Sequence, residues 1–308
     1  MFRRGEVQVG IAYRRLYADR WFVGTEVRED LAPFGQPLYL DINSLDFSVT
    51  YGVSDRVALT LTVPFSHGTH SRIYGGPAED GARHVVAAGG LGDISLVGTA
   101  WLLDPMTHER GNVSLGIGLK APTGNNRITD VVTFADSTSG VRTVDQSIQL
   151  GDGGWGVVLQ AQAFQRVFSR TSAYLVAWYM AGTEEHTDVP SPYPGVLLAV
   201  PDVYSARGGL AYAVAPTAGL SASLGLRIDG IPMGDLLGGT DRYFRRPGYS
   251  LYADPGIALR RGNNEFILNM PVLVAQDFKR SPIDQDLDRR GGGDLADYLI
   301  FLGYNRRF

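Results

Sequence analysis

The sequence predicts an all-β chain closed into a twelve-stranded antiparallel transmembrane β-barrel, with short periplasmic turns and long extracellular loops. Three observations predict it. Apolar residues recur at every second position through twelve successive stretches, the period of a strand whose two sides meet different surroundings. The face opposite the apolar one is small or polar, the reverse of a soluble barrel with its aliphatic side chains inside. The connections alternate between short and long along the chain.

Taken in order, 7–17 places Val7, Val9, Ile11, Tyr13 and Tyr17 on one face, and 45–53 does so with Leu45, Phe47, Val49, Tyr51 and Val53. After Ser54, Asp55 and Arg56, the stretch 57–65 sets Val57, Leu59, Leu61, Val63 and Phe65 against Ala58, Thr60, Thr62 and Pro64. Strands at 94–103 and 112–122 follow, then 155–168, 172–182, 203–214, 219–231, 248–261, 265–277 and 296–308. The last carries Tyr298, Ile300, Leu302, Tyr304 and Arg306 on one face, and Asp297, Leu299, Phe301, Gly303, Asn305 and Arg307 on the other. Each stretch is near the ~9–11 residues a tilted strand uses to cross a bilayer.

Short connections fall at 54–56, 104–111, 169–171, 215–218 and 262–264. Long ones fall at 18–44, 66–93, 123–154, 183–202, 232–247 and 278–295. This asymmetry with an even strand count is that of an outer-membrane barrel, both termini on the periplasmic side. Aromatics near strand ends (Tyr13, Tyr17, Tyr51, Phe65, Tyr212, Tyr249, Phe266, Tyr304) suit interfacial girdles. The terminal Phe308 is placed for recognition by the barrel assembly machinery. No stretch is left over for a plug, so 1–308 reads as one barrel domain. The opening MFRRGEVQVG lacks the apolar core of a signal peptide, and the numbering is expected to begin near the mature end of an exported chain.

Composition narrows the function classes. No run approaches the ~18 apolar residues of a spanning helix, YLVAWYMAG (174–182) being among the longest. The 39 glycines and 15 tyrosines suit strands and turns. Cysteine is absent, which removes disulfide scaffolds, thiolate metal sites and cysteine nucleophiles. A net charge of −4 argues against nucleic acid as a partner.

GLGDISLVGTAWLL (90–103) and, soon after, GLKAPTG (118–124) resemble the paired motifs of the outer-membrane proteins of the phenol meta-pathway degradation family, barrels often labelled simply as transporters. RWFVGTEV (20–27) and DYLIFLGYNRRF (297–308) fit the same resemblance. It implies a barrel over the whole chain and a role in helping small, often aromatic, molecules across the outer membrane. It carries over no catalytic residue and no cofactor. From the residues themselves, Gly116, Gly118 and Pro122 face the lumen, where small residues allow tight turns and curvature.

All five histidines (His67, His70, His84, His108, His186) are expected in connections. Ser66, His67 and His70 then read as solvated loop polarity, against catalysis or a zinc or copper site with His84. In DQDLDRRGGGD (284–294), Asp284, Asp286 and Asp288 repeat the alternating carboxylates of a calcium loop, with Asp294 further on. Arg289 stands where that pattern needs glycine, so the alternatives are an acidic loop balanced by Arg289 and Arg290, or calcium bridging to lipopolysaccharide.

Alternation points Glu6, Asp46, Asp93, Asp229, Asp254 and Asp297 inward, with Arg14, Lys120, Arg166, Arg207, Arg227 and Arg260. The expected pore lining is a basic wall at Arg207, Arg227 and Arg260 facing small, neutral residues that include Thr60, Thr62, Gly116 and Gly118. Such a lumen has a mild anion preference unless Asp229 and Asp254 neutralise the arginines. VVTF (131–134) and VRTV (141–144) read as a hairpin that extends the barrel or folds in as a constriction. The apolar run within 191–203 suits a hydrophobic ligand, a partner or the outer leaflet.

The expected function is an outer-membrane channel for passive uptake of small molecules, aromatic or amphiphilic ones among them. The alternative is a non-conducting scaffold barrel that docks an envelope partner. The histidine placement argues against an enzyme. Expected partners are outer-membrane lipid and lipopolysaccharide, a small-molecule solute and, during biogenesis, the assembly machinery.

Overall fold

The computed structural model describes residues 2–29, 38–73, 83–133, 138–237 and 242–308. Twelve antiparallel barrel strands run in chain order: β1 (Val7–Ala18), β2 (Leu38–Gly52), β3 (Val57–Ile73), β4 in two segments (Arg83–Leu91 and Ser95–Trp101), β5 (Gly111–Lys120) and β6 (Gly156–Arg166). They continue as β7 (Thr171–Gly182), β8 (Val203–Ala215), β9 (Leu220–Ile231), β10 (Gly248–Arg261), β11 in two segments (Asn264–Asn269 and Val272–Phe278) and β12 (Tyr298–Arg307). Each strand pairs with its sequence neighbours, and β12 returns to β1 over ten register pairs from Gln8↔Arg307 to Tyr17↔Tyr298. Closure leaves no free edge across the lipid layer, which an unpaired strand could not survive there.

The strand count, order and short-turn/long-loop asymmetry match the sequence expectation. The upper ends of β2, β3 and β4 do not, because these strands climb well into the expected 18–44 and 66–93 connections. The cause is an inversion of polarity. In the lower part of β2, Leu45, Phe47, Val49 and Tyr51 are exposed on the outside, while Ser44 and Thr50 are buried within. Above Ser44 the parity is kept but the chemistry swaps: Leu38 and Leu40 are buried inside, and Asp41 and Asn43 share the outer face with Arg15. Arg15 binds Asp41 (Nη2 to Oδ2, 2.6 Å) and the Tyr13 hydroxyl donates to Asn43 (2.6 Å). The barrel therefore leaves the membrane near Tyr13 and Asn43, and above that line it is built like a soluble barrel, apolar inside.

That upper interior is filled by the chain itself. Ala18, Leu38, Leu40, Val86 and Ala88 on the wall pack with Val132, Val144 and Ile148 from the 123–154 connection. Ile148 ends a short 3₁₀ turn (Gln146–Ile148) capped by Asp145, whose carboxylate accepts from the Ser147 amide. It lies directly over Gly68, where an added Cβ would stand 2.7 Å from Ile148 Cγ2, so only glycine leaves room for the loop. The expected hairpin is present as Thr129–Thr133 against Ser139–Thr143. Asp130 accepts from the Ala87 amide (3.1 Å), so the hairpin covers the edge of β4 that rises above β5.

The lipid-facing assignment is open to direct test. Leu224 lies in the middle of β9, 65% exposed on the outer face. Leu224→Arg is expected to lower unfolding stability by about 2–4 kcal/mol in lipid vesicles, the cost of a mid-bilayer arginine. Ser223→Asn, on the inner face, should leave the denaturation midpoint near wild type. A soluble barrel would tolerate the arginine.

Candidate functional site

Cross-strand partners share a face, so the register fixes what lines the lumen. One row across four strands reads Val176, Arg207, Arg227 and Tyr252. The adjacent row reads Tyr174, Gly209, Gly225 and Asp254. Like charges directly opposite repel, and Arg207 and Arg227 stand side by side because each has a carboxylate. Arg227 Nε lies 3.0 and 2.8 Å from the two Asp229 oxygens. Arg207 Nε lies 3.5 Å from Asp254 Oδ2, and Asp254 is fully buried. Each guanidinium also rides over a ring: Arg207 over Tyr174 (5.3 Å) and Arg227 over Phe301 (4.7 Å). Asp46 neighbours Arg14, but its Oδ1 has no hydrogen-bond partner among the described residues.

The other expected lining residues are dispersed. Thr60 and Thr62 line a cavity of 330 Å³ with Thr50, Ser114, Gln160 and Gln162, and the Thr50 and Thr60 hydroxyls are 3.0 Å apart. Gly116 and Gly118 provide strand contact: a Cβ on Gly118 would lie 2.4 Å from the Leu96 carbonyl oxygen, and one on Gly116 2.9 Å from Thr99 Cγ2. Arg166 and Arg260 are exposed at the periplasmic strand ends, Arg260 opposite Glu265, far along the strand from the Arg207 row. Lys120 is buried, its amine held by Asp93 (2.9 Å), Asp152 and the Gly154 carbonyl (2.8 Å).

Lumen aromatics were the feature that alternation missed. Trp178 sits opposite Gln160 and Ser205, Tyr174 opposite Phe164, and Trp101 opposite Ser114, so all face inward with Tyr252 and Phe301. The available signal was YLVAWYMAG, which is apolar on both faces and so cannot have a polar lumen side.

The two Gly-rich motifs meet where β4 breaks between its segments. Asp93 accepts from Lys120, the Gly124 amide (2.8 Å) and the Asp152 amide (3.3 Å). Thr123 Oγ1 donates to the Gly92 carbonyl (2.8 Å) and accepts from the Ile94 amide (2.9 Å). This junction closes the wall where β5 ends and ties down the start and finish of the 123–154 connection. Burial pushes the Asp152 carboxyl up despite the nearby lysine.

A second set of ion pairs joins the outer loops. Arg246 lies 3.6 Å from both Asp145 and Asp294, and its guanidinium stacks over Trp21 (4.4 Å) and Phe244 (5.4 Å). One side chain thus links the 18–37, 123–154, 232–247 and 278–295 regions. Burial raises Asp145, but Arg246 and His70 outweigh it and hold this carboxyl well below the usual range. Asp294 responds oppositely: burial and then the charge of Asp145 push it up to about 7. Arg245, fully enclosed, forms a two-point pair with Asp235. Asp235 also accepts from the Asp202 amide (2.9 Å), and Asp202 from the Tyr179 hydroxyl (2.6 Å).

The histidine expectation is corrected. His67 and His70 lie on β3, His84 on β4 and His186 on a short strand (His186–Pro190), leaving His108 in a turn. Alternation puts Ser66 and His67 on opposite faces, and Ser66 Oγ instead contacts Ser44 Oγ (2.9 Å). In the acidic loop, Asp284 caps the short helix Pro282–Asp286 by accepting from Ser281 and also binds the Tyr193 hydroxyl (2.6 Å). Asp286 and Asp288 are exposed, and no group of three or more His, Asp or Glu forms a metal-binding cluster among the described residues.

The fold has a counterpart among solved structures. The crystal structure of the COG4313 outer membrane channel from Pseudomonas putida F1 is similar over 100% of this chain and 97% of that one, with 15% identity and a TM-score of 0.62. A Pseudomonas aeruginosa FadL homologue (8% identity, TM-score 0.43, 98% and 90% covered) and the P. putida toluene transporter TodX (9%, 0.41, 99% and 90%) are looser matches. No family model matches the chain, and no curated protein matches it. The fold is that of an outer-membrane barrel, and the phenol meta-pathway resemblance rests on its sequence motifs alone.

Asp294 makes the outer cover pH-sensitive. Its carboxyl is higher in the folded chain than its ordinary 3.8, so the folded loops bind the proton more tightly. That stabilisation is fully present below about 3.8 and is lost as pH rises through about 7. Hydrogen-exchange protection factors in 242–247 and 278–295 are expected to be higher at acid than at mildly alkaline pH, and Asp294→Asn should remove the difference. Equal protection in wild type at both extremes would contradict the assignment.

Proposed function

We propose that the barrel is an outer-membrane channel for passive uptake of small molecules, with aromatic or amphiphilic solutes preferred. The observation that carries the reading is the lumen row itself: guanidinium and aromatic faces (Arg207 with Tyr174, Arg227 with Phe301) stand in a closed barrel whose other wall holds the Thr60 and Thr62 cavity. A ring finds stacking surfaces there, and a phenol or carboxylate finds guanidinium donors. The similar P. putida chain is an outer membrane channel, and the proposal extends that role to this one. Its surroundings would be lipid and lipopolysaccharide outside and the diffusing solute within, with the assembly machinery engaging the last strand at biogenesis.

The scaffold alternative has one observation in its favour, the apolar packing that fills the outer end of the barrel. A liposome-uptake panel of phenols, fatty acids, sugars and small anions, run beside planar-bilayer conductance, separates the two. Uptake of none, with no conductance, would leave the scaffold.

The paired charges sharpen the selectivity test. Arg207 and Arg227 are matched by Asp254 and Asp229, so the wild-type lumen should be only weakly selective. Replacing both arginines with glutamine strands two carboxylates, and the reversal potential should move clearly towards cations. An unchanged potential would make the arginines braces of the wall. Removing 131–144 takes Val132 and Val144 from the outer packing and is expected to raise conductance.

A further inference from the structure

Outside the lumen, a cleft of 360 Å³ opens among the outer loops. Arg72 at the top of β3 and Arg142 on the hairpin line it, together with Val144, Asp145, Leu198 and Phe244. Leu198 and Phe244 are held together by backbone pairing, since the Ala199 amide donates to the Phe244 carbonyl (3.0 Å) and the Phe244 amide to the Leu197 carbonyl (2.9 Å). The cleft's volume is at the low end of the ~300–1,000 Å³ of small-molecule sites, suited to one ring more than to a long chain. Two of its residues have a second task. Asp145 and Phe244 both border the cleft, and both hold Arg246, which ties the outer loops together.

We propose that this cleft binds a small aromatic anion, a single ring bearing one carboxylate or phenolate, and that binding loosens the outer cover by drawing Arg246 from Asp145. The ring lies on Leu198, Val144 and the Phe244 face. The anionic group meets the guanidinium groups of Arg72 and Arg142, whose planar forks suit a carboxylate. A new negative charge beside Asp145 competes with it for Arg246, and any shift of Phe244 disturbs the stacking on the same guanidinium. The local field is suitable, because Arg246, His70 and Arg72 together hold the Asp145 carboxyl down although it is largely buried. Binding does not depend on the channel reading; only the consequence of opening rests on it.

The test uses purified full-length protein in detergent, with benzoate as probe, benzyl alcohol as the ring without charge, and acetate as the charge without ring. Titration is followed by calorimetry and by tryptophan fluorescence, since Trp21 stacks on Arg246 and should respond as the pair loosens. Benzoate is expected to bind saturably and at least about tenfold tighter than either control, and Arg72→Gln to weaken it about tenfold, as loss of one charge-assisted contact implies. Arg142→Gln, on the exposed hairpin, gives the same reading should the Arg72 variant fail to fold. No saturation by ~10 mM benzoate, equal affinity for benzyl alcohol, or unaltered benzoate affinity in both folded variants overturns the proposal. Saturable benzoate binding with a fixed Trp21 signal overturns the release step. Benzoate binding in a barrel that conducts nothing refutes the channel reading and leaves the site intact, whereas conduction without benzoate binding does the reverse.

Discussion

Everything in this barrel depends on one requirement: no backbone amide or carbonyl can go unpaired in lipid. The β1–β12 ladder from Gln8↔Arg307 to Tyr17↔Tyr298 meets it by closing the sheet on itself. Once closed, the pleat assigns each residue to lipid or lumen by parity alone. Ile11, Phe47 and Leu61 must then be outside, and Gln8, Ser48 and Thr62 inside, whatever their individual preferences. Parity persists above the membrane, but the solvent on each side changes. Water replaces lipid outside and packed loops replace the lumen inside, so Arg15 and Asp41 face out while Leu38, Leu40 and Val86 face in. One backbone geometry thus serves two opposite hydrophobic patterns, joined near Tyr13 and Asn43.

Where neighbouring strands end at different heights, the ladder has to be completed by other means. β4 rises above β5, and the Asp93–Lys120–Asp152 group stands at that step with the Ala87–Asp130 contact above it. Buried ion pairs of this kind contribute little net stability, because desolvation offsets the attraction. Their effect is on uniqueness: Lys120 with three acceptors has one arrangement in which all are satisfied, which fixes where the 123–154 connection starts and ends. Arg245 with Asp235 and Arg246 with Asp145 and Asp294 act in the same way on the other loops. The outer loops also bury apolar side chains such as Val144, Ile148, Leu198 and Phe244, but apolar contact alone tolerates sliding, and these charges fix the loops because they can be satisfied in only one place.

The sequence made legible whatever follows from alternation. All twelve strands, their order and the two kinds of connection are there because lipid imposes an uninterrupted code on the outer face. Legibility stops where the code inverts. Leu38, Leu40 and Ile42 continue β2 on the face that carries Asp46 and Ser48, so a count of matching positions ends the strand too early. The same failure placed His67, His70 and His84 in loops. Parity gives each charge a face, and Asp229 and Asp254 were already legible as acids able to neutralise the arginines, but parity says nothing about distance along the barrel. Arg207 and Arg227 are adjacent through the register, while Arg260 is at the far end of its strand and Lys120 is sequestered. Lumen aromatics were hidden by another assumption, that an inner face must be polar. Tyr174 and Phe301 show that a lumen can hold rings when guanidinium groups cover them, and Trp178 faces inward opposite Gln160.

In the proposed channel, the two halves of the interior would act on a solute by different physics. The mid-membrane lumen has balanced charge, with Arg207, Arg227 and Arg14 near Asp254, Asp229 and Asp46, so it presents neither a strong barrier nor a deep well to small ions. The outer end is filled by the apolar cluster around Ile148 and by the Arg246 ion pairs, whose charges are already matched, so a hydrated ion gains little there in exchange for its water. On the proposed channel reading, resistance to passage would lie in the cover, and selectivity in the field beneath it. On the same reading, a solute that places its ring on the apolar part and its polar group on the guanidinium rows would meet a favourable contact in both halves. Sugars lack the first and aliphatic chains the second. The cover itself is held by Arg246 between Asp145 and a carboxyl pushed up to about 7, so its integrity depends on electrostatics outside the membrane, whereas the strands beneath it are set by lipid.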